Sequence, residues 1–417
     1  MKILYIHQYF NTPEQPGGTR SYWFSKELID AGHEVIMFTS NRSGQKNFIE
    51  KKNIEGISVM YVRNNYNNKM GILRRLWSFV RFMLYAIWFG IRQKNIDMVY
   101  ATSTPLSVAL PAMMIKWLKG VPFIFEVRDL WPEVPIQMGA IKNKLFIKLL
   151  YWFEKKIYVS AAHVVALSPG MREGVLKYGI PEQKVTMIPN MSKMDEFFER
   201  PKNKEIANEF GIDLSKFNAI HFGTMGLANN LDYIIDAAID LKKKNVKHID
   251  ILFLGGGRTE EKLKQRCKDE ALSNIKFLGR HPMKIVSEIV NISDVSIVTF
   301  ANLPILYTNS PNKLFDSLSA AKPIIVNSAG WTKQMVEDNN CGLFADPEAP
   351  EALADALIKL SLSPEILQTM SKNSRDLAET VYDKTILCKA FHNLIHSFDK
   401  TRIGEMANKE QKQLSEN

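Results

Sequence analysis

Short apolar runs alternate along this chain with loops and with segments of helical periodicity. The first run covers residues 3–6, helical periodicity follows over 19–31, and a second run covers 35–38. Continuous apolar runs predict strands buried on both faces of a parallel sheet, and their alternation with a helix predicts a doubly wound α/β domain. Further strands are predicted at 96–100, 123–127, 163–167 and 184–188.

The alternation stops and then starts again, which predicts a second domain. Residues 193–215 are polar and rich in charge, as a linker would be. A second set of strands is predicted at 219–222, 249–254, 275–278, 295–298 and 323–326. We therefore expect an α/β domain at 1–192, a linker at 193–215, a second α/β domain at 216–380 and a polar tail at 400–417. Two such domains enclose a cleft, which is the usual place for a ligand.

Length and composition agree with this division and exclude several classes. The chain has 417 residues, more than one hydrophobic core usually supports. With 46% hydrophobic and 24% charged residues, it is neither disordered nor collagen-like. Cys267, Cys341 and Cys388 lie far apart, which argues against a zinc knuckle or redox pair and favours a reducing, intracellular compartment. The apolar run at 3–6 is shorter than the roughly 7–15 residues of a secretory signal.

The net charge of +10 is concentrated in the first half of the chain. Residues 1–190 contain 25 Lys and Arg against 13 Asp and Glu, whereas residues 191–417 contain 29 against 31. This asymmetry predicts an anionic partner for the first domain. Nucleic acid and an anionic membrane surface both fit, and the summed charge does not choose between them.

Glycine-containing loops follow the first predicted strand and two strands of the second domain. Gly17 and Gly18 precede the first helix, Gly223 and Thr224 follow the strand at 219–222, and Arg258 follows three glycines. Glycine lets the backbone approach a ligand, and a helix N-terminus attracts an anion. The loops therefore predict a phosphate or diphosphate site with Arg258 as counter-charge, unless the glycines serve only as turns. The first loop lacks the Gly-x-Gly-x-x-Gly spacing of a dinucleotide site, which disfavours a dehydrogenase.

The most distinctive segment covers residues 309–318. A proline-containing loop begins a helix that carries Lys313 near its start and Asp316 three residues later on the same face. A cation followed by an acceptor-only carboxylate suits a phosphate and the vicinal diol of a ribose. The alternative is a surface ion pair between the two side chains. The predicted ligand-binding residues of this segment are Asn309, Ser310, Asn312, Lys313, Leu314 and Asp316.

Residues 69–92 combine cations with aromatic side chains. Sixteen residues separate Arg75 from Arg92, and Arg81 interrupts them, so the segment is short of the ~20 apolar residues of a spanning helix. It predicts either an interfacial helix, with arginines at lipid phosphates, or an amphipathic helix of the core. The interfacial interpretation assigns membrane contact to Arg74, Arg75, Trp77, Arg81, Phe82, Trp88 and Phe89, with a second contact at Lys116, Trp117 and Lys119.

Several motifs, in this order, resemble glycosyltransferase family 4. They are Pro-Gly-Gly at 16–18, Gly-His-Glu-Val at 32–35, Asp-Leu-Trp-Pro-Glu at 129–133, Ile-Pro-Asn at 188–190, Phe-Gly-Thr-Met-Gly-Leu-Ala at 222–228 and Pro-Asn-Lys-Leu-Phe-Asp at 311–316. The resemblance covers residues 1 to about 395 and is closest to the bacterial O-antigen and capsule branch, which includes N-acetyl-L-fucosamine transferases. It implies the GT-B fold, with two Rossmann-like doubly wound domains facing a central cleft. It also implies that a helix at 381–399 crosses back to the first domain.

The resemblance further implies a nucleotide-sugar donor held mainly by the second domain, and retention of anomeric configuration without a metal or other cofactor. Asp316 stands where the family has a glutamate that binds the ribose hydroxyls, and Thr308 stands where many members have an earlier glutamate. Arg280 and His281 follow a strand end at which family members meet the nucleotide base.

The resemblance leaves few cations for the donor diphosphate. Asn229 and Asn230 occupy the place of a lysine that many relatives direct at the diphosphate. Arg258 and Lys313 are then the expected cations, with backbone amides near Gly223.

The loop after the strand at 123–127 is the expected acceptor side. Arg128 occupies the place of a histidine that many members carry, and Asp129 follows it. We predict Asp129, Arg128 and Lys313 as the catalytic residues, although Arg128 and Asp129 could instead form a buried pair that closes the loop. Arg20 and Trp131 are assigned to the acceptor or membrane side.

Together these features predict a cytoplasmic glycosyltransferase attached peripherally to the inner face of the plasma membrane. The expected donor is UDP-linked, with an N-acetylated hexosamine or a 6-deoxyhexosamine as the sugar. The expected acceptor is a polyprenyl-diphosphate-linked glycan of a capsule or O-antigen, and no nucleic acid is expected.

Two alternatives to this function remain. A nucleotide-sugar epimerase or NAD-type oxidoreductase is disfavoured because Gly-x-Gly-x-x-Gly and a suitably placed Tyr-x-x-x-Lys are missing. The second alternative is a basic module without enzymatic activity that binds nucleic acid or a membrane. No helix-turn-helix, zinc or RNP-like pattern supports nucleic-acid binding.

Overall fold

The computed structural model describes residues 1–15, 17–41, 48–64, 72–103 and 105–399. In that part of the chain, one eight-stranded and one six-stranded sheet form two successive α/β domains. This confirms the prediction of two doubly wound domains.

The first domain alternates strands with helices on both faces of its sheet. The strands are β1 (Lys2–Ile6), β2 (Glu34–Asn41), β3 (Ile49–Ile54), β4 (Ile57–Arg63), β5 (Met98–Thr102), β6 (Phe123–Val127), β7 (His163–Ala166) and β8 (Val185–Met187). The helices are α1 (Arg20–Asp30), α2 (Ile72–Arg92), α3 (Ala109–Lys119), α4 (Glu133–Gln137), α5 (Lys144–Ser160) and α6 (Pro169–Leu176). The strand order is β3-β4-β2-β1-β5-β6-β7-β8, and neighbours are parallel except for β3 and β4.

The second domain repeats the same architecture. Its strands are β9 (Phe217–Thr224), β10 (Ile249–Gly256), β11 (Ile275–Gly279), β12 (Val295–Val298), β13 (Ile324–Val326) and β14 (Gly342–Phe344), in the order β11-β10-β9-β12-β13-β14. Its helices are α7 (Lys204–Glu209), α8 (Asp232–Lys243), α9 (Glu260–Asp269), α10 (Met283–Ile292), α11 (Asn312–Ser319), α12 (Trp331–Asp338), α13 (Pro350–Ser361) and α14 (Pro364–Thr380). A 3-10 helix at Pro304–Thr308 leads into α11.

The β3–β4 hairpin is an addition that the apolar runs did not predict. Its two-residue turn uses positive φ at Glu55 (48°) and Gly56 (92°), which matches the twist of a tight hairpin. Lys51 and Lys52 are exposed in β3, as is common for an edge strand. A half-exposed edge strand carries little apolar signal, so the hydrophobic pattern alone does not reveal it.

The chain passes between the two domains twice, and these two crossings lie side by side. The Ser192 amide donates to Tyr382 O at 2.7 Å, and the Lys384 amide donates to Ser192 O at 3.1 Å. Residues 384–399 then form a helix, α15, which packs on the first domain. The Phe391 ring of α15 stacks on Phe24 of α1 with centroids 4.0 Å apart.

One face of helix α2 packs into the core of the first domain. Phe82 and Phe89 are buried and pack against Phe38 of β2. The prediction that these two rings enter a membrane interface is therefore wrong, because the sheet already covers them. None of the described helices is long and apolar enough to cross a membrane.

Candidate functional site

The carboxyl ends of both sheets face one another across the cleft. A β-carbon added to Gly18, in the loop after β1, would lie 3.0 Å from Asn312 Nδ2 and 3.4 Å from the Arg128 guanidinium. Gly18, Arg128 and Asn312 come from three distant segments and two domains. The fold therefore brings together residues that the sequence predicted for one site.

Three side chains of the first domain hold the segment that leads into α11. Gln137 Oε1 accepts from the Ile305 amide at 3.0 Å, and Asn190 Nδ2 donates to Ser310 O at 2.6 Å. Ser168 Oγ donates to Thr308 O. Of these three, only Asn190 falls within a motif singled out in the sequence, so two contacts that hold the segment before α11 were missed.

Lys313 lies at the beginning of α11 with its ammonium group beside β9. Its Nζ is 3.2 Å from His221 Nε2, and a β-carbon on Gly223 would lie 3.5 Å from its Cε. Burial lowers the pKa of Lys313 to about 7. Within the described parts of the chain no carboxylate lies within 4.0 Å of Nζ, so this cation has no counter-charge there.

Arg128 is held by groups of the first domain. Its amide donates to Ser103 Oγ at 2.8 Å, and its NH1 lies 3.3 Å from His7 Nε2. The other ring nitrogen of His7 is 2.8 Å from Ser21 Oγ. Asp129 is half-buried next to Arg128. The sequence does not single out His7 or His221, because a lone histidine at a strand end gives no sign of its partner.

Arg20 lies inside the first domain rather than on its surface. It is 2% exposed, its Nε donates to Glu126 Oε1 at 2.8 Å, and NH2 donates to Ile188 O at 2.8 Å. Glu126 also accepts from Tyr100 and Thr102 hydroxyls. Burial alone would raise the pKa of Glu126, but the guanidinium groups of Arg20 and Arg128 outweigh it and lower that pKa. Its buried position takes Arg20 out of the predicted membrane contact.

Asp316 forms a buried cluster with the chain crossing. Its Oδ1 is 3.4 Å from Lys193 Nζ, which also contacts Glu196 at 2.7 Å. Burial raises the pKa of Asp316 to about 6, although Lys193 opposes the shift. Lys313 and Asp316 thus have different partners, and the surface ion pair considered as an alternative does not form.

The remaining predicted donor residues surround the ends of β9, β10 and β11. Gly223 and Thr224 are exposed at the end of β9, and Arg258 is exposed after β10. Gly255 has φ +132° and packs directly on Gly223, which leaves no room for a side chain. Arg280 lies over Gly256.

Other predicted donor residues make contacts that limit what they present to a ligand. His281 Nε2 contacts Leu278 O at 2.6 Å. Asn309 O accepts from Trp331 Nε1 at 2.8 Å. The Leu314 side chain is buried in the core, so only its backbone is available to a ligand. In the first domain, Gly17 is exposed with φ +126°.

The residues predicted to contact a membrane separate into exposed and inward-facing sets. Trp77 and Trp88 are 62% and 46% exposed, and Arg74 is exposed. Arg81 is half-buried, and its Nε donates to Asn64 Oδ1 at 3.1 Å. Trp131 is half-buried against the core, and the side chain of Arg75 lies outside the described part.

Exposed apolar side chains continue from α2 onto two neighbouring helices. Trp117 on α3 is 77% exposed, and α5 exposes Leu145, Phe146, Leu149 and Trp152. The contribution of α5 was missed, because its apolar residues in sequence resemble those of an ordinary core helix.

No group of three His, Cys, Asp or Glu side chains among the described residues could hold a metal ion.

Two families match the chain in succession. Residues 17–191 match the family described as "Glycosyl transferase 4-like domain", and residues 202–377 match "Glycosyl transferases group 1". The chain is 21% identical to the "Probable glycosyltransferase WbjE" of Pseudomonas aeruginosa, over 87% of this chain and 90% of that protein. It is 19% identical to the "Alpha-galactosylglucosyldiacylglycerol synthase" of Streptococcus pneumoniae (strain ATCC BAA-255 / R6), over 60% of this chain and 65% of that protein.

Solved glycosyltransferases share the fold of this chain at low sequence identity. Sucrose-phosphate synthase from Thermosynechococcus elongatus superposes with a TM-score of 0.76 at 14% identity, covering 96% of this chain and 99% of that one. HepE from Anabaena, solved in complex with UDP-glucose, gives 0.69 at 15% identity, covering 95% and 100%. The two family matches account for most of the chain and agree with these relatives, so the chain belongs to the family 4 glycosyltransferases with a GT-B fold.

Proposed function

We propose that this glycosyltransferase moves a sugar from a UDP-linked donor to a polyprenyl-diphosphate-linked glycan during synthesis of a bacterial surface polysaccharide such as a capsule or O-antigen. The observation that carries the proposal is the half-buried Lys313 side chain, whose ammonium group lies beside Gly223 without a carboxylate among the described residues. Such a charge suits the diphosphate of a nucleotide sugar. The similarity to HepE, solved with UDP-glucose, and to the probable glycosyltransferase WbjE supports this choice.

Unpartnered polar atoms at the donor segment support a polar ligand. Asn309 Oδ1 and Ser310 Oγ are buried and have no hydrogen-bond partner among the described residues, and Asp316 Oδ1 meets Lys193 Nζ only at 3.4 Å. A buried polar atom left without a partner costs free energy, and hydroxyl groups of a ribose or a sugar would satisfy such atoms. In the proposal Asp316 accepts from the ribose, and Asn309 and Ser310 contact the donor, whose sugar is an N-acetylated hexosamine or a 6-deoxyhexosamine.

The proposed reaction retains anomeric configuration and needs no metal. As the bond from the anomeric carbon to the diphosphate breaks, negative charge grows on the leaving oxygens and positive charge on the sugar. Lys313, Arg258 and amides near Gly223 stabilise the diphosphate, which also accepts the proton of the attacking hydroxyl. Arg128 adds its charge beside the diphosphate, and Asp129 aligns the acceptor hydroxyl on the same face, so that positioning supplies much of the rate.

The acceptor is proposed to reach the cleft from the cytoplasmic face of the plasma membrane. Trp77, Trp88, Trp117 and Trp152 project from three helices of the first domain, and lysines and arginines lie among them. Aromatic side chains that enter the headgroup region and cations that meet anionic lipid would hold the first domain at the surface.

A thermal-shift panel of UDP-, GDP- and ADP-sugars tests the donor assignment. A donor that binds only the folded chain raises the Tm by mass action, and UDP-sugars should give the largest shift. The K313M variant is the matched comparison, and its shift should be much smaller. Absence of a shift with every nucleotide sugar would contradict the proposed function.

A further inference from the structure

The two cations of the cleft, Arg128 and Lys313, each contact a histidine. In each domain this histidine belongs to, or directly follows, the first strand along the chain. Arg128 NH1 lies 3.3 Å from Nε2 of His7, which directly follows β1. Lys313 Nζ lies 3.2 Å from Nε2 of His221, which is part of β9. Both histidines are buried, at 4% and 0% exposure. The arrangement therefore occurs once in each domain, at the edge facing the cleft.

The hydrogen-bond partners determine which ring nitrogen carries the proton. Guanidinium and charged ammonium groups only donate, so beside Arg128, and beside Lys313 while it carries its proton, Nε2 of the histidine accepts and the ring proton resides on Nδ1. His221 Nδ1 lies 3.3 Å from Ile297 O, a carbonyl that can only accept. His7 Nδ1 lies 2.8 Å from Ser21 Oγ, which can accept. An imidazole whose Nε2 accepts in this way is neutral.

A neutral acceptor does what a carboxylate cannot do beside a cation. It orients the donor group but leaves the positive charge intact, whereas a carboxylate would cancel the charge that an anion needs. The same chain contains the contrasting case, because Arg20 is paired with Glu126 inside the first domain. Arg20 contributes to the fold, and its charge is unavailable to a ligand.

We propose that His7 and His221 are positioning residues that hold Arg128 and Lys313 toward the diphosphate of the donor. This inference rests on the proposed function, since the diphosphate is its ligand. Burial, together with the charge of Lys313, lowers the pKa of His221 well below its usual value, which agrees with a permanently neutral ring. Protonation of either ring would replace an attractive contact by repulsion between two cations.

Side-chain variants with and without an acceptor separate positioning from packing. H221L and H7L remove the acceptor, whereas H221Q and H7Q keep an amide oxygen near the place of Nε2. The matched control is H163L, because His163 is a buried histidine at the amino end of β7, away from the cleft, bonded to Thr186 Oγ1 at 2.8 Å. Far-ultraviolet circular dichroism and the Tm establish that each variant is folded.

The measurement is the Kd of UDP and of uridine for each folded variant, by ligand-observed NMR titration. We expect H221L and H7L each to weaken UDP about tenfold and to leave uridine unchanged, because only the diphosphate meets the cations. H221Q and H7Q should recover most of the affinity, and H163L should match the wild type. Equal weakening of UDP and uridine would indicate a structural role only and would overturn the inference.

The proposed function and this inference fail in different ways. A wild-type chain that binds no nucleoside diphosphate contradicts the proposed function. A wild-type chain that binds UDP, with H221L and H7L binding it equally well, overturns the positioning role alone. A ligand-free check uses ring ¹⁵N shifts, assigned by comparison with H221Q. We expect the neutral Nδ1–H form of His221 at pH 6, where Lys313 is charged, and an imidazolium or the Nε2–H form would also overturn the inference.

Discussion

Lys313 lies at the start of α11, and its half-buried side chain places the ammonium group 3.2 Å from His221 Nε2. Its pKa, lowered to about 7 by burial, means that the free enzyme loses this proton above neutral pH. A diphosphate beside it favours the charged form, so binding above pH 7 has to take up a proton. The charge that is proposed to bind the donor is therefore itself dependent on pH.

We expect the affinity for UDP-glucose to fall about tenfold per pH unit above pH 7 and to be nearly constant between pH 6 and 7. UDP-glucose is the suitable probe because its diphosphate diester does not titrate in this range. In K313M the affinity should be lower at pH 7 and should lose this slope. The same slope in wild type and K313M, measured by calorimetry, would show that another group titrates.

The buried pair of Arg20 and Glu126 makes a different prediction, one of stability. In E126Q the Arg20 guanidinium keeps its burial but loses its counter-charge, which costs about 3–5 kcal/mol when a buried pair is broken. D355N is the matched surface variant, since Asp355 is 63% exposed in its pair with Lys244, and it should cost less than about 1 kcal/mol. Denaturant unfolding of both variants checks this, and equal losses would contradict it.

Residue roles were the part of the site least open to prediction. The segment at 309–316 and the loops at Gly18 and Gly223 were identified because strand ends and glycines leave a local signal. Arg20 was assigned to the wrong surroundings because its partner, Glu126, is 106 positions away in sequence. The histidine partners of Arg128 and Lys313 are similarly remote, at 121 and 92 positions.

At the scale of elements, α2 combines both interpretations that its sequence left open. Its Phe82 and Phe89 face packs on the sheet, while Trp77, Leu84 and Trp88 remain exposed on the other side. Helix α5 adds an exposed apolar face of its own, with Leu145 as its most exposed member. An amphipathic pattern shows that a helix has an apolar face, but its neighbours decide how much of that face stays uncovered.

We expect this exposed set to bind vesicles of phosphatidylcholine that contain phosphatidylglycerol. W77A/W88A should weaken binding roughly tenfold, because each indole removes a large apolar contact. Sedimentation should also detect loss of binding in 1 M NaCl, where the Debye length is about 3 Å. The control L362A changes an apolar side chain of the second domain that is 68% exposed, and it should bind like the wild type. Undiminished binding of W77A/W88A would contradict membrane docking by α2.

At the scale of the whole molecule, α15 and the paired crossings join the two domains into one folded chain. The Phe391 ring fills the core of the first domain, and Ser192 bonds to the returning crossing. Residues from the second domain, including Phe315, join the core cluster of the first. The relative position of the domains therefore depends on packing between them as well as on the two crossings.

Buried His163 predicts how stability responds to acid. Burial, with a smaller effect of Lys184, lowers its pKa from 6.5 to about 4 in the folded chain. Below pH 6.5 His163 binds a proton in the unfolded chain but not in the folded chain. The free energy of unfolding therefore falls between pH 6.5 and 4. The loss amounts to at most about 3 kcal/mol.

The variant H163Q isolates this contribution. The quantity to follow is the unfolding free energy of the wild type minus that of H163Q. It should be up to about 3 kcal/mol lower at pH 4 than at pH 8. Denaturant unfolding across this pH range measures it. A difference that is independent of pH would mean that His163 titrates normally in the folded chain.

The sequence by itself determined the two α/β domains, the edges of the sheets that face the cleft and the loops from which the site is built. It could do so because buried parallel strands, glycine turns and helix starts are local patterns. Only the tertiary structure decided which side chains become partners: Lys313 with His221, Arg128 with His7, Arg20 with Glu126 and Asp316 with Lys193. Contacts between distant segments determine which side chains are paired and buried. Those contacts decide whether a charged group stabilises the fold or remains available to a ligand.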